Sequence, residues 1–175
     1  MQGDMNNTKI LTINREKIIS LTQFAVLIGV ATIAPFLGQQ AITGPIVNAT
    51  LFISTIFLGI RAGILISLLP SIIALSTGIL PLALAPMIPF IMMGNIILVL
   101  SFDFLRGKNY WLRIFTASAL KFIFLFSSSS ILVNLITKTA IANRVAIIMS
   151  WPQFLTAIAG GIIAYLVSKK IKHAF

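Results

Sequence analysis

The stretch "RAGILISLLPSIIALSTGILPLALAPMIPFIMMGNIILVLSFD", Arg61 to Asp103, carries no charge between its two end residues. It is about twice the roughly 20 residues that a helix needs to cross a hydrocarbon core. One helix cannot fill it, so it reads as two membrane spans joined by a turn. The prolines say where the turn falls. Inside a helix a proline removes a backbone hydrogen bond and clashes with the preceding turn, at about 3 kcal/mol or more. Pro81, Pro86 and Pro89 crowd the middle of this otherwise aliphatic run. Gly78 and Pro81 end the first helix and Pro86 starts the second, with Pro89 close to the same start, where a lost hydrogen bond costs least.

The whole chain has the same character. Of its 175 residues 58% are hydrophobic and only 9% charged, against roughly 25% charged in a soluble domain. A surface this poor in charge cannot be solvated by water, and the fold class expected is an all-α integral membrane protein. There is no cysteine, which excludes disulfides and thiolate chemistry. The net charge of +10 is dispersed between apolar blocks rather than gathered in one basic domain. It therefore reads as membrane topology and not as nucleic-acid binding.

Apolar blocks bounded by breakers and charges predict six helices, over about 18–38, 45–60, 62–79, 86–105, 111–136 and 145–168. The Gly59–Gly63 stretch is expected as a tight turn around Arg61, and Pro70 as a kink in the third helix. Residues 1–17 form a polar N-terminal segment, 18–168 the membrane domain, and 169–175 a basic tail. Six spans put both termini on one side. That side would hold Lys9, Arg15, Lys17, Arg61, Arg106, Lys108, Arg113, Lys169, Lys170 and Lys172, and the other only Lys138 and Arg144. Cytoplasmic loops carry the excess of Lys and Arg, so both termini are expected in the cytoplasm of a multi-pass cell-membrane protein, with the proline hairpin outside.

Polar groups in hydrocarbon are costly, so their positions are informative. Gln39 and Gln40 follow the first helix, Asn48 begins the second, Asn95 lies midway along the fourth, Asn134 ends the fifth, and Trp151 and Gln153 begin the sixth. All fall at mid-depth or in the outer half. One reading is an outward-facing pocket with apolar walls and a few placed polar groups. The other is ordinary helix capping by amides and an interfacial tryptophan. Lys121 is the one charge well inside a span, about 12 Å along the helix from Arg113. It has three options: a ligand carboxylate, a polar group inside the bundle, or snorkelling to the interface. Small residues recur at four-residue spacing in Ala25-x-x-x-Gly29, Ala157-x-x-x-Gly161 and Gly160-x-x-x-Ala164. Such pairs allow close helix contact within the chain or with a partner.

Enzyme readings find little support. His173 is the lone histidine, and Asp4, Glu16 and Asp103 are the only carboxylates, all on the basic side. No metal site, catalytic dyad or acid–base pair can be assembled in the membrane from these. No P-loop is present, and no cofactor is expected.

With the run from Thr43 to Asn95, and most specifically the pattern P-x-x-P-F-I-x-x-G-N at Pro86 to Asn95, the chain resembles the substrate-binding S components of energy-coupling factor (ECF) transporters. The resemblance implies a binding subunit for a vitamin or related micronutrient. Such a subunit delivers its cargo to a transmembrane T component driven by two cytoplasmic ATPases. It would place Gln39, Gln40, Asn95, Asn134, Trp151 and Gln153 around the substrate, and Asn48 joins them as a candidate substrate-binding residue from its position in the membrane alone. It would also make Ala25 and Gly29, in place of the family's Ala-x-x-x-Ala, the surface that docks on the T component. The alternative is a structural or accessory subunit of another membrane complex that binds no solute. A small channel is a third option, without a ring of like polar residues to argue for it.

Overall fold

The computed structural model describes residues 3–79, 82–136 and 147–174, with side chains over 15–79, 85–132 and 147–171. It is built from helices throughout: α1 Gly3–Ile33, α2 Gln40–Phe57, α3 Ile60–Ser76, α4 Ile88–Phe104, α5 Tyr110–Ile136 and α6 Trp151–Ala174. Short 3-10 turns at Ala34–Leu37 and Leu82–Met87 precede α2 and α4. Five helices are long and apolar enough to cross a membrane. The sixth, α3, is also apolar but has only 17 residues, about 26 Å at 1.5 Å per residue. The chain is a multi-pass membrane protein.

Each helix ends for a local reason. The sharp reversal between α2 and α3 is confined to Leu58 and Gly59, and Gly59 has φ +86°, a conformation that a Cβ would strain. Arg61 and Gly63 lie beyond it, in the first turn of α3, so the turn is tighter than the Gly59–Gly63 stretch predicts. Gly78, φ +71°, stops α3 two residues after Ser76. Pro86 sits in the 3-10 turn and Pro89 in the first turn of α4, whereas Pro81 lies outside the described residues.

Further boundaries differ from the sequence reading, that of α6 among them: it runs Trp151–Ala174, through most of the residues 169–175 read as a basic tail. Helix α2 begins at Gln40 and carries Pro45 inside it. A proline near a helix start is not necessarily its first residue: Pro45 forfeits a single bond, the one to the Ala41 carbonyl close to the start of α2. Asn48 is therefore in the body of α2 rather than at its beginning. Helix α1 runs back to Gly3, through most of the segment read as a polar N-terminal stretch.

The helices alternate in direction. In the α2–α3 hairpin Thr55 meets Gly63, and across α3 and α4 Gly63 meets Val99 while Ser67 meets Asn95. Between α4 and α5, Gly94 meets Leu125 and Phe102 meets Arg113. Gly161 of α6 abuts Ile114 of α5. Helices α2 and α6 lie side by side and parallel, Gly44 facing Thr156 and Gly160 facing Asn48. This is the most extensive contact in the bundle. The beginning of the apolar part of α1, near Glu16 and Lys17, lies beside Leu58 and Ala62. Its end meets the start of α2, where the Thr43 hydroxyl donates to the Ala34 carbonyl.

Alternation separates the two ends of the bundle chemically. Toward one end lie Arg15, Lys17, Arg61, Arg106, Lys108, Arg113, Lys169 and Lys170, with an aromatic seam of Phe52, Phe102, Tyr110 and Tyr165 just inside. There Arg113 donates to the Phe102 carbonyl and stacks on the Phe102 ring, 3.9 Å from its centroid. The other end holds the 3-10 turn before α4 and the residues leading into α6. Two buried apolar clusters fill the bundle. The larger contains Leu51, Phe52, Ile66, Leu98, Val99, Phe102 and Ile114. The smaller, nearer the α6 start, is formed by Met87, Leu125 and Met149. Around them a belt of Ile18, Leu21, Val26, Phe115, Ile123, Leu155 and Leu166 faces outward, as lipid-facing residues do.

Candidate functional site: a lysine buried between two asparagines

Lys121 does not snorkel. It sits in the interior of the bundle with 3% of its surface exposed. The position follows from the local sequence of α5. Ala117 and Ser118 one turn before it and Leu125 one turn after are likewise fully buried, and together they form the inward stripe of a helix repeating every three to four residues. Lys121 takes its place in that stripe and carries its amine into the centre.

There it meets two of the amides that the sequence singled out. Its Nζ donates to Asn48 Oδ1 at 2.6 Å and to Asn95 Oδ1 at 2.7 Å. The two asparagines are 1% and 2% exposed, and both are oriented by backbone carbonyls. Asn48 Nδ2 donates to the Gly44 carbonyl at 2.9 Å, one turn earlier in α2. Asn95 Nδ2 donates to the Ser67 carbonyl of α3 at 3.3 Å. With each N–H2 group committed, each oxygen is left to face the amine. Four helices, α2 to α5, thus contribute to one buried polar layer between the two apolar clusters. The Ser118 hydroxyl, three residues before Lys121, is buried and has no hydrogen-bond partner among the described residues.

Close backbone approach brings α2 into this position. A Cβ at Gly160 would come within 2.6 Å of Asn48 Cβ and 2.7 Å of the Ala49 amide nitrogen. Only a glycine lets α6 press on α2 at that level. The small residues of α6 are consumed by packing inside the chain, Ala157 and Ala164 being fully buried. The pair on α1 is different: Ala25 is exposed, and a Cβ at Gly29 would meet nothing within 4 Å.

The remaining amides form a second, looser group. Gln40 and Gln153 both donate through Nε2 to the Ile148 carbonyl, each at 3.5 Å, and Gln153 also contacts Met149 Sδ at 3.9 Å. From Gln40 to Asn48 is about 12 Å along α2 at 1.5 Å per residue. The Met87–Leu125–Met149 cluster occupies the layer between. Gln39 is exposed in the linker before α2. Trp151 is 66% exposed and stacks on Phe122, with ring centroids 5.4 Å apart, outside both polar groups. Asn134 belongs to α5, but its side chain lies outside the described residues. A shallow groove lined by Glu16, Lys17, Ser20, Phe24 and Leu58 lies at the basic end, remote from the amides.

What the sequence reading missed is the partnership. It named Asn48 and Asn95 as candidate site residues and gave Lys121 a polar group inside the bundle as one of three options, without joining them. The charge deep in α5 was the signal, since an intramembrane ionisable group normally faces a partner. Among the described residues no cluster of His, Cys, Asp and Glu could hold a metal ion. Chemically, the layer offers one cationic donor and two fixed dipoles, which suits recognition of a polar group rather than bond making. Comparison with protein-family models, curated proteins and solved structures returns no match for this chain.

Proposed function

We propose that the protein is a solute-binding subunit embedded in the cell membrane, of the S-component kind found in ECF transporters. In this reading it captures a vitamin or related micronutrient from outside. It hands the molecule to a transmembrane T component driven by two cytoplasmic ATPases. All six helices span, α3 included, and the basic end of the bundle faces the cytoplasm, as the excess of Lys and Arg favours.

The observation that carries the reading is the buried Lys121 layer. Placing a charged group in a membrane interior costs several kcal/mol, and such groups mark binding sites and pathways by default. A bundle held only by packing would have no need of it: apolar side chains of similar volume stabilise as well as a buried ionic group or better. The Gln40–Gln153 pair, one apolar layer away, adds a second set of polar contacts toward the outer end. The open Ala25–Gly29 face of α1 suits close approach of another membrane helix and is the proposed docking surface for the T component.

Native mass spectrometry of the detergent-purified protein, expressed in rich medium, tests the proposal. A bound vitamin-sized mass that disappears in Asn95→Leu is the expected result. A bare protein both as purified and after incubation with a vitamin panel would reject it in favour of an accessory subunit that binds no solute.

A further inference from the structure

We infer that the ligand is an organic monocarboxylate, whose carboxylate is received by Lys121 between Asn48 and Asn95 and whose apolar body lies in the Met87–Leu125–Met149 layer. This rests on the reading of the protein as a binding subunit and specifies its substrate class.

The charge inventory makes the first argument. The chain has three carboxylates, Asp4, Glu16 and Asp103, and none can neutralise Lys121. Asp103 is paired with Arg106 at 2.6 Å. Glu16 lies beside Leu58 and Ala62 at the basic end, and Asp4 is a further 12 residues back along α1. The partners that Lys121 does have, two amide oxygens, are neutral. An ammonium has three N–H donors, and among the described residues two are taken. In its ammonium form, which an anionic ligand would stabilise, Lys121 has one donor and one unit of positive charge left for that ligand. Cationic ligands are excluded by repulsion in a setting of low dielectric.

The number of charges narrows the class. A phosphate monoester carries about 1.5 to 2 negative charges near neutral pH, which one lysine with no arginine beside it leaves uncompensated. A carboxylate carries one. The surroundings then favour an organic acid over an inorganic ion. Beyond Lys121 toward the α6 start lie Leu125, Met87 and Met149, flanked by Phe90, Ile91 and Phe124, a packed apolar layer that would enclose a hydrocarbon or ring once its methionines move aside. Unbranched methionines repack around irregular shapes at low cost. Met87 and Met149 immediately precede α4 and α6, so they can shift without disturbing a helix interior. Gln40 and Gln153 close the far side with neutral amides, matching an uncharged polar tail.

The test uses the full-length protein purified from rich medium. Small molecules are extracted from it, coupled to a simple amine with a carbodiimide, and compared by mass before and after coupling. The expected result is a bound molecule that gains the mass of one amine less one water. Lys121→Gln, which keeps N–H donors for the two asparagine oxygens but removes the charge, should retain at least tenfold less of it. Matched acid and neutral probes give a second readout on wild type: nicotinate against nicotinamide, pantothenate against panthenol, biotin against its amide. Any acid that binds should outcompete its neutral partner at least tenfold. A bound molecule that does not couple, or equal retention by Lys121→Gln, overturns the carboxylate assignment and leaves the binding reading standing. No bound molecule and no response to any probe overturns both.

Discussion

Replacing Gly160 by alanine adds one methyl group at the place where α2 and α6 come closest. The new Cβ would lie 2.6 Å from Asn48 Cβ, 2.9 Å from the Asn48 carbonyl carbon and 2.7 Å from the Ala49 nitrogen. Ordinary contacts between such atoms are about 3.5–4.0 Å, so the shortfall is about 1 Å. Two of the three atoms are backbone and cannot rotate away, so the helices must separate. Overpacking of this kind costs about 1–3 kcal/mol. For a chain of this length that is about 2–4 °C in Tm per kcal/mol, so the variant should melt about 2–12 °C below wild type. The displacement also falls on Asn48, whose oxygen is 2.6 Å from Lys121 Nζ, so ligand retention should fall with stability. Thermal unfolding in detergent, followed by the fluorescence of Trp111 and Trp151, gives the measurement. Gly29→Ala is the control, because its Cβ would meet nothing within 4 Å and alanine is the better helix former. If Gly160→Ala melts with wild type, or no lower than Gly29→Ala, the α2–α6 contact is not as described.

Lys121→Met alone should destabilise, because it strands two buried amide oxygens at about 1–3 kcal/mol each. Adding Asn48→Leu and Asn95→Leu should recover most of the loss, and a triple variant no more stable than the single one would contradict the shared layer. The absence of cysteine suits topology mapping with single cysteines. A membrane-impermeant maleimide applied to intact cells should label Lys138→Cys, and label Lys108→Cys only after permeabilisation; the reverse pattern would invert the proposed orientation. Ala25→Leu and Gly29→Leu should leave Tm within about 0.5 kcal/mol equivalents of wild type, as exposed positions do. They should nevertheless abolish co-purification with the proposed T component, and intact co-purification would move the docking surface elsewhere.

Much of the architecture was legible because membrane helices announce themselves by length. The charge-free run from Arg61 to Asp103 had to contain a turn, and the turn falls where Gly78 and the prolines place it. Boundaries slipped where a residue has two local meanings. Pro45 reads as a helix start but lies in the second turn of α2, and this moved Asn48 from a terminus into the core. The site was half legible. Asn48, Asn95 and Lys121 each stood out as costly in hydrocarbon, but whether they meet depends on which face of each helix turns inward. Hydrophobic periodicity, the usual guide to that, is weak here: lipid and core are both apolar, so α4 is apolar all round. Trp151 illustrates the converse. Its position at the start of α6 was clear, but its outward stacking on Phe122 depends on the rotation of α6 against α5.

The parallel contact between α2 and α6 joins segments about a hundred residues apart. A ribosome delivers α2 to the membrane long before α6 exists, so Asn48 must wait in lipid, or beside temporary neighbours, until Gly160 arrives. Lys121 is also made before the helix that clamps α2 against it. The polar layer is thus clamped only after α6 has been made, and a chain truncated before α6 would carry an unclamped lysine and asparagine into the bilayer. The seam that positions Asn48 also acts as an assembly checkpoint: the buried charge is clamped only once α6 is in place.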